Sequence, residues 1–212
     1  MIIRAVSPLL SSVPVRAETT VHDEMFDVKI PKRLELNRRS HDLFSKAYRC
    51  MHDLCWFPPA RAYVLALYAD SGALNRARVA GGPTAVFDAV CEKSFVLFFS
   101  SAKDIQHIRK GFRRSFEATK SDHPAESRSE CITRFLAVLD GRKGLVKGDR
   151  LRVTCLPTEG VVVAAFNEEE GIRIQNAEPL IHWLHSLYLG LESNPPRYQA
   201  VHRGLIENRI ES

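Results

Sequence analysis

The segment from Lys147 to Phe166, KGDRLRVTCLPTEGVVVAAF, restricts the possible folds more than any other part of the chain. Leu151, Val153 and Cys155 alternate with Arg150, Arg152 and Thr154, the period-2 pattern of a strand whose two faces meet different surroundings. Pro157-Thr158-Glu159-Gly160 supplies turn residues, and the apolar run from Gly160 to Phe166 supplies a return strand. Two strands joined by so short a turn pair antiparallel. Ile172 and Ile174 suggest a third strand. Leu180, Ile181, Leu184, Leu187 and Tyr188 then recur at helical spacing over 177–189, and Gly190 is a natural stop.

The same logic extends upstream. Ala60 to Asp70 reads as a strand with Tyr63, Leu65 and Leu67 on one face and Val64, Ala66 and Tyr68 on the other. Ser94 to Ser100 reads as a buried strand. The period then changes: Ile105, Ile108, Phe112 and Phe116 form a helical stripe opposite Lys103, Lys110, Arg113 and Arg114, with Ser101 and Asp104 as a capping box at its start. A second helix after Pro124 carries Ile132, Phe135, Leu136 and Leu139. Further expectations are a short helix over 84–91, a strand around 26–30, and a last helix after Pro195-Pro196. Strands, two helices, a β-meander and more helices together predict an α+β fold, in which helices pack on one antiparallel sheet.

Residues 1–17 are basic, contain serines, and have no acid before Glu18, the composition of an organellar import segment. Residues 18–43 are polar and show no core of their own. The expected division is therefore an extended, import-like segment over 1–45 and a folded domain over 46–212. No apolar run approaches the roughly 20 residues of a membrane-spanning helix. The formal charge is +5, but acids and bases are interspersed, which argues against a nucleic-acid-binding face. Five cysteines, an odd number at irregular spacing, fit free thiols in a reducing compartment. Cys50, His52 and Cys55 lack the further ligands of a zinc site, and no phosphate-cradling glycine loop is present, so neither metal nor cofactor is expected.

The order and spacing of AYVLALYAD, VLFFSSAKDIQHIRKGFRRSF, KGDRLRVTCLPTEGVVVAAF and LIHWLHSLYLG resemble the chalcone isomerase-like superfamily over Lys46 to Glu207. The resemblance implies an open-faced antiparallel β-sandwich packed by helices, with a ligand cleft between the layers. It places Arg49 and Tyr63 where the fatty-acid-binding relatives hold a carboxylate, a pairing that suits a guanidinium and a phenol. Read without the resemblance, the same two residues are a surface arginine and a core tyrosine. At the positions where the isomerases use a tyrosine, an asparagine and a Ser/Thr, the chain has Asp104, Gly111 and Ile181. Isomerase activity is therefore not expected, and no catalytic residue is assigned. The leading expectation is a non-catalytic accessory subunit of a mitochondrial assembly at the inner membrane, such as the ATP synthase or a respiratory complex, with protein partners. In that case the cleft would be filled by Trp56, Phe57 or Trp183, or by a partner. The alternative is a fatty-acid or lipid carrier using Arg49 and Tyr63.

Overall fold

The computed structural model describes residues 19–36, 39–50, 56, 60–81, 85–167, 169–190 and 196–207. Seven strands form one antiparallel sheet. In chain order they are β3 (Arg33–Leu36), β4 (Arg39–Cys50), β5 (Arg61–Asp70), β6 (Lys93–Phe99), β9 (Arg150–Leu156), β10 (Val161–Phe166) and β11 (Ile172–Ile174). Across the sheet the order is β11-β10-β9-β6-β5-β4-β3. Two small ribbons complete the strands: a hairpin of β1 (Thr20–Asp23) and β2 (Val28–Pro31), and a pair of β7 (Lys103–Asp104) and β8 (Gly144–Leu145). The helices are α1 (Ser71–Gly81), α2 (Ala85–Asp88), α3 (Ile105–Ala118), α4 (Ala125–Leu136), α5 (Glu178–Tyr188) and α6 (Pro196–Glu207).

The period-2 rule sorts each strand onto two cores. Tyr63, Leu65 and Leu67 of β5, Phe95, Leu97 and Phe99 of β6, and Leu151, Val153 and Cys155 of β9 face the helices. Val64, Ala66 and Tyr68 face the opposite side, where they meet Phe26, Val28 and Ile30 from the β1–β2 hairpin. Of the polar segment expected to lack a core, the β1–β2 hairpin covers the outer face of the sheet, and β3 and the start of β4 belong to the sheet itself. Asp23 fastens the hairpin: the buried carboxylate accepts from Lys46 Nζ at 2.5 Å, Tyr48 OH at 2.8 Å and the Phe26 amide at 3.1 Å. Burial opposes the Asp23 charge, but these three donors hold its carboxyl below the ordinary value. The expected boundary between 45 and 46 falls inside β4. The import-like residues 1–17 lie outside the described residues.

Several expectations shift by physical causes. The start of α3 is capped by Asp104, whose carboxylate accepts from the His107 amide at 2.9 Å, and not by a box with Ser101. Ser101 Oγ instead donates to the Arg61 carbonyl at 2.9 Å, tying the loop before β7 to the start of β5. Helix α1 was not expected from the sequence; Asp70 caps it by accepting from the Ala73 amide at 2.8 Å. Helix α2 is shorter than the expected 84–91. Cys50 is disulfide-bonded, against the expectation of free thiols throughout, whereas Cys91, Cys131 and Cys155 are free.

Candidate functional site

Between α3 and the ends of β4, β5 and β6 lies a cavity of about 160 Å³. Ala62, Phe99, Ile108 and Phe112 make its apolar wall. Ile108 and Phe112 are four apart on α3, so they share one face of the helix. Arg49, Tyr63, Lys103 and His107 bring the polar atoms, and among the described residues no Asp or Glu lines it. A cavity of this volume admits a benzene-sized group.

The strand register puts Arg49 and Tyr63 together. They are direct partners across β4 and β5, 14 residues apart in sequence, and both belong to the cavity wall. Tyr63 in turn opposes Phe99 of β6, with the rings edge to face at 6.1 Å. The Tyr63 ring is only 8% exposed, and its hydroxyl lies 3.3 Å from that of Tyr188 on α5. Arg49 is half-buried and donates from Nη1 to the Cys50 carbonyl at 2.9 Å, which anchors the guanidinium at the strand end. Lys103, expected on the solvated face of α3, sits instead on β7 at the cavity, where desolvation lowers its pKa. His107 follows four residues later. Lys103 and His107 escape sequence reasoning because a helix start at Ser101 assigns Lys103 to the wrong element.

The three positions matched to isomerase groups diverge. Asp104 is exposed and committed to the helix cap. Gly111 lines the cavity, but it has no side chain, and a Cβ there would meet nothing within 4 Å. Ile181 is buried in the core on α5. None of the three directs a hydrogen-bonding side chain into the cavity. The expected plug is also displaced. Trp183 packs against the rings of Phe112, Phe116 and Phe135 at 5.5–6.1 Å, Trp56 is 76% exposed, and Phe57 lies outside the described residues. Neither Trp56 nor Trp183 lines the cavity. Among the described residues no group of His, Cys, Asp and Glu could hold a metal ion, and no helix is long and apolar enough to cross a membrane.

A curled antiparallel sheet with a helix layer, and a cavity held between them with cationic and phenolic groups in its wall, defines the open-faced sandwich class expected from the sequence. The chain belongs to the chalcone isomerase-like family: that family's model matches residues 22–194, starting well before Lys46 and so taking in β2, β3 and all of β4. Among solved structures it is similar to a fatty-acid binding protein of Arabidopsis thaliana, with a TM-score of 0.67 and 15% identity, over 89% of this chain and 96% of that one. At that identity the likeness is one of fold. No curated protein matches.

Proposed function

We propose that this chain binds a fatty acid or a related anionic lipid, with the carboxylate between Arg49 and Tyr63 and the first carbons of the chain against Phe99, Ile108 and Phe112. One observation carries the reading. Two residues 14 apart in sequence meet across a strand pair in the wall of an apolar cavity, and the other ionisable groups among its described lining residues, Lys103 and His107, are both basic. A guanidinium can grip a carboxylate through two parallel bonds, and a phenol adds a third donor. Hydrogen bonds to a charged group contribute about 1.5–3 kcal/mol each, and each buried methylene adds about 0.8 kcal/mol. The family membership and the fold of the Arabidopsis fatty-acid binding protein support the same assignment.

The test is a fatty-acid titration of the whole chain, followed by calorimetry, for the wild type and for Arg49→Ala. Micromolar binding lost with the guanidinium is the expected result. Absence of binding in both proteins would remove the proposal.

The accessory-subunit reading ranks second. Its support is the import-like composition of 1–17, the missing isomerase groups, and an 18–43 segment without an obvious core. That last argument weakens, because the β1–β2 hairpin packs on the sheet of its own chain. Native purification with mass spectrometry separates the two readings: stably associated proteins favour a subunit, a bound acyl chain favours a carrier.

A further inference from the structure

We infer that the cavity between α3 and the sheet selects a short acyl chain, of about six carbon atoms, and that Phe112 is the residue that sets this limit. The limit rests on the lipid-binding reading of the site and concerns only the apolar part of the ligand. The space available is about 160 Å³. A dry apolar cavity of about 150 Å³ holds a benzene ring, which has about the bulk of a six-carbon chain. A long-chain acid such as hexadecanoate carries more than twice that number of carbons. Most of its tail would therefore lie beyond the apolar wall of Ala62, Phe99, Ile108 and Phe112.

The cavity ends where the aromatic core begins. Phe112 belongs both to the cavity wall and to that core. Its ring stands edge to face with Phe135 and Trp183, with centroids 5.6 and 6.1 Å away. Phe116 meets Trp183 in the same way at 5.5 Å, and Phe116, Phe135 and Trp183 are each 2% exposed or less. On the sheet side Tyr63 stands edge to face with Phe99, and its hydroxyl lies 3.3 Å from that of Tyr188. Interiors of this kind are packed as densely as organic crystals, and edge-to-face aromatic pairs add to the cohesion that area burial gives. A tail that grows inward past Phe112 has to break these contacts, and a tail that grows outward leaves the cavity. In both directions the gain from each further methylene stops once the cavity is full. Truncation of Phe112 removes the ring that separates the cavity from Phe135 and Trp183, so it lengthens the space open to a chain.

The experiment is a calorimetric titration of the full chain with straight-chain acids from butanoate to hexadecanoate, each kept below its micellar concentration. In the wild type, affinity should rise about fourfold per added methylene, the value of one buried CH₂. The rise should end at about six carbons and the affinity then stay level. Phe112→Ala should carry the rise on by several carbons. Ile108→Phe adds bulk to the same wall and should end the rise at a shorter chain. That variant replaces Phe112→Ala if the loss of a core ring prevents folding, and the wild-type series decides the length limit without either. A wild-type affinity that keeps rising to hexadecanoate would overturn the limit and leave the lipid-binding reading intact. A folded Phe112→Ala whose affinities level off at the wild-type length would take the role from Phe112. Absence of binding at every chain length would overturn the lipid-binding reading, and the limit with it.

Discussion

Replacement of Asp23 tests whether the β1–β2 hairpin is an integral part of the fold. Its carboxylate is 2% exposed and holds Lys46, Tyr48 and the Phe26 amide together. Removing one partner of a buried ion pair costs about 3–5 kcal/mol, because the other charge is left without an acceptor. The Lys46 side chain is 18% exposed and its ammonium can recover some hydration. Asp23→Ala should therefore lie near the lower end, about 3 kcal/mol. For a chain of this size that is a fall in Tm of about 6–12 °C. Asp23→Asn keeps an acceptor oxygen for the Phe26 amide and loses only the charge, so it should cost less, about 1.5–3 kcal/mol. The sign of the pH effect follows from the direction of the shift. A carboxyl held below its ordinary value stabilises the fold above the unfolded-state pKa of about 3.9, and that contribution is lost as pH falls through the lower folded value. The gap between wild type and Asp23→Asn should be flat from about pH 5 to pH 8 and close only in stronger acid. Urea denaturation at several pH values provides the measurement. A cost below about 1 kcal/mol for Asp23→Ala would show that the hairpin is not fastened through this residue.

Three other outcomes are expected. Gly111→Ala should raise stability by about 0.5–1 kcal/mol, since a Cβ there meets open space and glycine is unfavourable inside a helix, while Gly111→Leu should fill the cavity and abolish fatty-acid binding in the same titration. Gly160→Ala should destabilise by more than about 1 kcal/mol in thermal unfolding, because φ is +62° and the added carbon would lie 2.3 Å from Glu178 Oε1. The pKa of His185 is pushed down to about 4, by burial first and then by Lys93 and His182, so the neutral ring is favoured in the folded state and stability should fall as pH drops from about 6.5 towards about 4. His185→Gln should flatten that part of the stability–pH curve.

The elements that were legible in the sequence obey one simple period. In β5, β6, β9 and β10 alternation sorts side chains between two cores, and in α3 and α5 the 3.6-residue stripe marks the buried face. Strand β4 escaped because it breaks its period: the register shifts between Leu43 and Ser45, so the pattern changes phase at Phe44. Polar residues at its buried positions hide it further. His41 is fully buried beside Ser94 Oγ and Glu92, and Ser45 donates to the Leu205 carbonyl of α6, contacts between residues 51 to 160 positions apart that no local pattern encodes. The wall of the candidate cavity was partly legible. The family resemblance picked out Arg49 and Tyr63, and the β4–β5 register, invisible in sequence, makes them neighbours. Lys103 and His107 depended on the exact helix start, which a single capping residue decides.

The order of the sheet also bears on its behaviour at high concentration. An open sheet has two edges whose backbone groups can recruit strands from other molecules. Here the edges are β3 and β11, four and three residues long, bearing Arg33 and Glu35 on one and Arg173 on the other. Behind β11 lies β10, VVVAAF, a segment with the composition of an aggregation-prone strand. Three residues of β11 thus shield an adhesive strand, and truncation or loosening of Ile172–Ile174 would turn a protected edge into a template for self-association.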